Sequence, residues 1–352
     1  MSKKIFDFCI GNPPFNKSNL NTSDDPIYDR FIEASIKIAD KVELITPARF
    51  LFNAGKTKKN WNEKMLNDSH FKVLKYFNNG KDVFPNTDIK GGIAIHYYDY
   101  RKIFDPIIVF SAHKELNEII QKYNKSFTSN SLKSIFFSSD SYKLSNDFHK
   151  SFPQFKYNPA KKENIFSKGH DNLLSSNFFE KVKSPTIYME PPKDGNEYFC
   201  IIGRLNGKRT KRWIKCNYLE AHPSLNKFKI MLPEANGRGD FGETITDPFV
   251  AHPGECHTQT FVSIGAFDSE NEANNALKYI KGKFSRAMLS ILKITQHTRA
   301  STWTFVPLQD FTDHSDIDWS KSIPEIDQQL YRKYDLSDEE INFIETHVKE
   351  MK

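Results

Sequence analysis

The stretch from Phe6 to Phe15 places the tightest local constraint on this 352-residue chain. Ile5 to Ile10 is a short apolar run typical of a β-strand, and Asn12-Pro13-Pro14 ends it. Two successive prolines fix two φ angles and donate no backbone N–H, and the residue before a proline is held extended. We therefore predict a rigid loop at the carboxyl end of a strand, where open α/β sheets bind their ligands.

The side chains of this loop suit a planar ring that carries an exocyclic amine. Asn12 Oδ1 and the Pro13 carbonyl are expected to accept the two amine protons, and Phe15 is expected to stack on the ring. A nucleic-acid base held in this way has to leave the duplex. The alternative is an Asn-Pro-Pro turn that only ends a strand.

Three segments of the sequence resemble one family of enzymes. Asn12-Pro13-Pro14-Phe15 resembles the (Asp/Asn/Ser)-Pro-Pro-(Tyr/Phe/Trp) signature of the DNA amino-methyltransferases, in the form usual for adenine. Residues 46–50, Thr-Pro-Ala-Arg-Phe, resemble the segment after the fifth strand of that family. Residues 82–92, Asp-Val-Phe-Pro-Asn-Thr-Asp-Ile-Lys-Gly-Gly, resemble a segment of the restriction-modification adenine methylases. Taken singly, the two later segments are also compatible with a strand-end turn and a hairpin loop.

The resemblance implies roles for individual residues. Asn12, Pro13, Pro14 and Phe15 are the expected catalytic residues. Among the DNA contacts that we predict, Arg49 and Lys90 lie in the two later segments.

Alternating strand and helix patterns predict an α/β fold in the first third of the chain. Strands are expected at 5–10, 42–47, 71–77 and 91–98, with 107–110 paired to the last of these, and this order favours a parallel sheet. With the resemblance, the predicted fold is a partial doubly wound (Rossmann-like) methyltransferase sheet followed by a mixed α+β target-recognition domain. The expected domains are the C-terminal half of a catalytic domain at 1–125, a linker with irregular structure at 126–184, and target recognition at 185–352.

Positive charge is concentrated in one part of the predicted recognition domain. Residues 201–240 contain nine Lys or Arg and three Asp or Glu. A cluster surrounds Asn206-Gly207, which predicts a hairpin turn. Such a basic hairpin suits contact with DNA phosphates, and the alternative is a solvated hairpin without a ligand. The predicted DNA contacts here are Arg204, Lys208, Arg209, Lys211, Arg212 and Lys215.

The C-terminal region adds further features. A long helix is expected at 271–292. The segment after it is rich in hydrogen-bond donors, and we predict DNA contacts from Gln296, His297 and Arg299, although a structural hydrogen bond would equally explain His297. Residues 305–311 and 330–334 resemble the ending of the target-recognition domain of the same methylases, and Ser337 with Glu340 predicts a capping box.

The family resemblance implies S-adenosyl-L-methionine as the cofactor, but its Gly-rich loop, Asp-Pro-x-x-Gly-x-Gly, is not identifiable here. Eleven residues precede Asn12, whereas the family places this loop before the catalytic motif. Residues 237–242 formally match Gly-x-Gly-x-x-Gly, but no helical pattern follows, and we assign them to a turn. We therefore expect the cofactor site to be largely missing from this chain. A complementing subunit that carries the loop is the expected partner, and a truncated relic is the alternative.

Composition restricts the remaining classes of protein. No apolar run approaches the ~20 residues of a membrane span, and no signal peptide is expected. Four Cys without short paired spacing fit a reducing, cytoplasmic location and no metal site.

The predicted function is site-specific adenine-N6 methylation of double-stranded DNA in a restriction-modification system. A non-catalytic DNA-binding specificity subunit is the first alternative. A methyltransferase acting on RNA or protein is the second.

Overall fold

A computed structural model describes residues 4–17, 25–87, 89, 91–161 and 163–351, apart from the side chains of residues 124–128. The chain divides into two compact units, residues 1–123 and 124–352. The secondary structure of the first unit, with a last helix that runs beyond residue 123, is β1 (Phe6–Gly11), β2 (Asn16–Lys17), β3 (Asp25–Pro26), α1 (Tyr28–Ile38), β4 (Ala39–Pro47), α2 (Lys59–Leu66), β5 (Phe71–Phe77), β6 (Ile93–Asp99) and α3 (Lys114–Ser129).

The main sheet of the first unit has the strand order β1-β4-β6-β5. β1 and β4 are parallel, whereas β6 is antiparallel to both of its neighbours. The prediction of a purely parallel sheet is therefore wrong for β6. The chain reverses direction between β5 and β6 through a glycine-containing loop rather than through a crossover helix. Residues 107–110 form no strand, so that part of the prediction is also wrong.

The core of the first unit lies on one face of this sheet. Val42 and Leu44 of β4 point into it, and so do Ile32 of α1 and Met65 of α2. The alternating burial along β4 has the period of a strand with one covered face. A doubly wound arrangement, with helices on both faces, stays a prediction.

Among the described residues, the second unit contains two small β-sheets and a group of helices. Its elements are β7 (Phe136–Phe137), α4 (Asn146–Ser151), α5 (Phe178–Lys181), β8 (Tyr198–Leu205), β9 (Lys208–Lys215), β10 (Phe228–Pro233), β11 (Phe249–Ala251), β12 (Glu255–His257), β13 (Phe261–Phe267), α6 (Glu270–Lys281), α7 (Lys283–Ser290), α8 (Ile323–Lys333) and α9 (Asp338–His347). The two sheets of this unit have the strand orders β11-β10-β13-β7 and β12-β8-β9.

The segment 126–184, which was expected to be a linker with irregular structure, contributes to the hydrophobic core of the second unit. Leu144, Phe148, Phe166 and Phe178 are almost fully buried there. Large aromatic side chains bury much apolar surface without regular secondary structure, which explains why the sequence shows no clean period.

Two helical predictions for the C-terminal region have different outcomes. The single helix expected at 271–292 is wrong, because Gly282 separates α6 from α7. Both carboxylate oxygens of Asp327 accept backbone N–H groups at the start of α7. The capping box at Ser337 and Glu340 is confirmed at the start of α9.

Candidate functional site

The Asn-Pro-Pro-Phe loop lies at the end of the main sheet of the first unit where β1 and β4 terminate. This end of the sheet is called the sheet edge below. β1 ends at Gly11, and the loop residues that follow adopt no regular structure. Asn12 is exposed, whereas Phe15 is half-buried. The Phe15 carbonyl accepts a 3.0 Å hydrogen bond from the Ile27 N–H, which ties the end of the loop to the start of α1. The amide of Asn12 is therefore available to a ligand, while the aromatic end of the loop is anchored.

All three segments that carry the family resemblance lie at this sheet edge. β1 and β4 are parallel, so Asn12 and Arg49 both follow carboxyl ends on the same side. β6 runs in the opposite direction, so its amino-terminal end, with Gly91 and Gly92, also lies there. The Gly92 carbonyl accepts a 3.0 Å hydrogen bond from the Ala48 N–H. Pairing of the strands thus brings residues 12–15, 46–50 and 91–92 to one edge.

Aromatic contact joins the catalytic motif to the third segment. The rings of Phe15 and Phe84 are 5.9 Å apart and inclined at 70°, an edge-to-face arrangement. This contact restrains the orientation of the Phe15 ring. No role was predicted for Phe84 itself, although it lies in the Val-Phe-Pro segment on which the resemblance rests.

Arg49 runs between two glycines that have left-handed backbone conformations. A Cβ at Gly91, where φ is 84°, would lie 2.7 Å from Arg49 Cγ, and a Cβ at Gly55, where φ is 88°, would lie 3.2 Å from Arg49 Cβ. Both glycines therefore make room for the aliphatic part of the arginine. The residue as a whole remains exposed at the sheet edge. Lys90, the other DNA contact predicted for this unit, lies outside the described residues.

A buried histidine supports the sheet behind this edge. His96 of β6 is fully buried, and its Nε2 lies 3.1 Å from Thr46 Oγ1 of β4. The rings of Phe50 and Phe71 lie 6.1 and 5.3 Å away. Burial lowers the pKa of His96 to about 3, so the imidazole is neutral near pH 7. Its role is structural.

The basic hairpin predicted in the second unit is present. β8 and β9 pair over eight positions and are joined by Asn206 and Gly207, whose φ angles are 51° and 74°, as a type I′ turn requires. The six predicted cations therefore lie on one ribbon.

Two of these cations already have carboxylate partners. Arg209 donates to Asp247, and Lys211 Nζ lies 2.6 Å from Glu255 Oε1. The hydrogen bond to Glu255 raises the pKa of Lys211. The sequence did not indicate these pairs, because 38 and 44 residues separate the partners along the chain.

The second group of predicted DNA contacts surrounds a β-bridge between His297 and Ala235. His297 Nδ1 lies 2.9 Å from Glu234 Oε1, which is the structural hydrogen bond named above as the alternative. Gln296 and Arg299 are exposed on either side.

Residues 237–242 form a turn whose N–H groups bind an internal carboxylate. The backbone N–H groups of Arg238 and Gly239 donate to Glu243 at 2.8 and 3.3 Å, and the buried Lys293 pairs with the same carboxylate at 2.5 Å. Burial alone would raise the pKa of Glu243, but these hydrogen bonds outweigh burial and bring the pKa below its ordinary value. A Cβ at Gly237 would collide with this carboxylate. The loop therefore does not fit a cofactor, because its anion-binding groups are used internally.

A cavity of about 780 Å³ lies between β5 and the start of α3, away from the Asn-Pro-Pro-Phe loop. Among the described residues, no group of three or more His, Cys, Asp or Glu side chains could hold a metal ion. None of the helices in these ranges is long and apolar enough to cross a membrane.

Comparison with known proteins finds a family similarity in the N-terminal part of the chain. The sequence model of the Eco57I restriction-modification methylase family matches residues 1–84. Those 84 residues are therefore similar to that family. A curated Mycoplasma pneumoniae protein (strain ATCC 29342 / M129), described as an uncharacterized adenine-specific methylase, is 34% identical over 94 residues. The aligned part is 25% of this chain and 22% of that protein.

A weaker likeness concerns a solved structure. The type IIG restriction endonuclease BpuSI is similar over 87% of this chain and 44% of that chain, with 10% identity and a TM-score of 0.29, a value at which no common fold is inferred. The chain therefore spans less than half of the length of either known protein. Residues 1–84, which the family model matches, contain Asn12, Phe15, Arg49 and Phe84, the residues that build the sheet-edge site.

Proposed function

We propose that this chain is the catalytic and target-recognition part of an adenine-N6 DNA methyltransferase of a restriction-modification system. The observation that carries the proposal is the convergence of residues 12–15, 46–50 and 91–92 at one edge of a sheet, within or beside the methylase-family segment. The curated relative described as an adenine-specific methylase supports adenine as the target base.

The residues of the loop would act on the amine of a flipped adenine. The lone pair of this amine is delocalised into the ring, which makes it a weak nucleophile. Hydrogen bonds from its two protons to Asn12 Oδ1 and the Pro13 carbonyl favour a pyramidal nitrogen and localise the lone pair. Phe15, restrained by Phe84, would stack on the ring and fix its position.

S-adenosyl-L-methionine would supply the methyl group. The formal glycine motif at 237–242 does not offer a site for it, since its N–H groups bind Glu243 instead. We propose that a cofactor-binding half completes the enzyme, whether it is a separate subunit or a further part of a longer polypeptide.

We expect that half to bind along the side of β1 that faces away from β4. Among the described residues, β1 pairs only with β4 on its inner edge. Phe8 and Ile10, which share one face of the strand, are 60% and 74% exposed. An unpaired apolar edge strand is a surface that proteins normally cover. A strand of the cofactor-binding half would pair with β1, and the rest of that half would cover this face.

Replacement of Asn12 tests the proposal. With the cofactor-binding half and S-adenosylmethionine present, we expect Asn12→Ala to lower N6-methyladenine formation in duplex DNA by at least about 100-fold, because the amide acts in the transition state. Duplex affinity, measured by fluorescence anisotropy, should stay within about 2-fold, because the amide does not contact phosphates. Asn16→Ala, which changes an exposed asparagine four residues away, is the matched control.

The two possible failures of this experiment point to different conclusions. Methylation that survives Asn12→Ala would refute the assignment of the loop. A wild-type chain that binds DNA but gives no N6-methyladenine with any cofactor-binding half would favour the non-catalytic specificity subunit.

A further inference from the structure

The hairpin formed by β8 and β9 carries two arginines that face each other. Arg204 and Arg209 are directly paired in the register, so their side chains lie on the same face of the ribbon. Two like charges in this position destabilise a hairpin. Each guanidinium lies over an aromatic ring, Arg209 at 4.3 Å from the centroid of Phe249 and Arg204 at 5.9 Å from that of Phe261. The arrangement therefore needs neighbouring groups to support it.

Arg209 is held more firmly than a flexible phosphate contact requires. Its Nη2 donates to Asp247 Oδ2, and its guanidinium lies over the Phe249 ring. Asp247 itself is in a left-handed conformation with a φ of 46°. The Arg209 side chain is still 38% exposed. One nitrogen is thus occupied while other donors of the fixed guanidinium remain accessible.

This geometry suits the reading of a base better than the binding of a phosphate. A phosphate contact depends on net positive charge, which Asp247 largely cancels. A guanine contact depends on a planar fork held in one orientation, because O6 and N7 accept two parallel hydrogen bonds. A two-stranded β-ribbon also has the dimensions to enter the major groove.

We infer that Arg209, fixed by Asp247 and Phe249, reads a guanine in the target sequence. The inference rests on the proposed DNA function, of which it names one specificity-determining residue. It replaces the earlier expectation that Arg209 contacts a phosphate. Arg209 touches the base and not the reacting amine, so it determines where methylation occurs and takes no part in the chemistry.

Selection of bound sequences from a randomised duplex pool tests this inference without knowledge of the target site. The full chain is incubated with the pool, and the bound fraction is sequenced. We expect the wild type to enrich guanine at one position. In Arg209→Lys, the preference for guanine over the other bases at that position should fall by about 5- to 150-fold, and preferences at other positions should stay unchanged. The salt dependence of binding should stay unchanged, because the charge is kept. Melting temperatures establish that each variant is folded.

Two further variants separate base reading from phosphate contact. Asp247→Asn adds one net positive charge and releases the arginine, so we expect tighter binding to all duplexes and weaker guanine preference. Lys208→Gln, at an exposed residue beside the turn, should lower the log–log salt slope by about 0.9 and leave base preferences unchanged.

Each contrary result has a defined meaning. Arg209→Lys with the full guanine preference, or a wild-type pool without base preference, overturns the role of Arg209 and leaves the methyltransferase proposal standing. A chain that binds no duplex overturns both.

Discussion

The buried histidine behind the sheet edge should make the first unit sensitive to acid. His96 is fully buried, and burial lowers its pKa to about 3, against 6.5 for the exposed side chain. The unfolded chain therefore binds a proton below pH 6.5, while the folded unit does not. The contribution to stability is present above pH 6.5 and is lost as the pH falls toward 3.

The size of the effect follows from these two pKa values. Between pH 8 and pH 5, protonation of the unfolded state should lower the free energy of unfolding by about 2 kcal/mol. This corresponds to a change of about 30-fold in the folding equilibrium. His96→Gln removes the titrating group and keeps an amide within reach of Thr46. We expect this variant to be less stable at pH 8 and to lose about 2 kcal/mol less than the wild type on going to pH 5.

The chain offers a probe for this unit alone. It contains four tryptophans, of which Trp61 lies in the first unit and Trp213, Trp303 and Trp319 lie in the second. Urea unfolding of protein labelled with 5-fluorotryptophan, followed by fluorine NMR, reports Trp61 as a separate resonance. The measured quantity is the unfolding free energy from that resonance at each pH.

A control variant separates titration from the loss of the hydrogen bond. Thr46→Val removes the hydrogen-bond partner of His96 and keeps the histidine. The free energy of unfolding of this variant should be lower than that of the wild type by a similar amount at pH 8 and pH 5. Its pH dependence should therefore match that of the wild type. Identical pH dependence in the wild type and His96→Gln would refute the reasoning, because it would mean that His96 is not kept neutral by the fold.

Two further predictions concern the cofactor and the glycine loop. Isothermal calorimetry on the 352-residue chain alone should detect no binding of S-adenosylmethionine, because residues 237–242 enclose Glu243, and micromolar binding would show that another site exists. Gly92→Ala should lower the unfolding free energy by more than the ~1–2 kcal/mol of a left-handed alanine, because its Cβ would lie 2.4 Å from the Phe77 carbonyl oxygen. Gly195→Ala is the control, because Gly195 has a similar φ and open space around it. It should lower the unfolding free energy only by the cost of a left-handed alanine. Equal losses of unfolding free energy in the two variants, measured by urea unfolding, would contradict the predicted clash at Gly92.

Local patterns in the sequence were sufficient to predict the structural features that depend on neighbouring residues. The strand before Asn12, the turn at Asn206-Gly207 and the capping box at Ser337 each follow from a few adjacent side chains. Each is decided by backbone conformations that proline, glycine or a capping side chain fixes.

Features that depend on distant residues could not be predicted in this way. The antiparallel direction of β6 depends on how the chain returns from β5, and strand composition alone does not record direction. The partner of Arg209 lies 38 residues away, so a count of basic residues overestimated the charge available to DNA. Gly282 breaks a helical pattern because Asp327 binds the N–H groups that follow it.

The geometry of β1 couples assembly to catalysis in the proposed enzyme. Gly11 is the last residue of the strand, and Asn12 follows it directly. A strand that pairs with the free edge of β1 in the same direction would place its own carboxyl end beside the Asn-Pro-Pro-Phe loop, where open α/β sheets bind ligands. Coverage of Phe8 and Ile10 would supply the apolar burial for this association, at about 25 cal/mol for each Å² removed from water. The contact that assembles the two halves would thus also bring the donor side of the reaction next to Asn12.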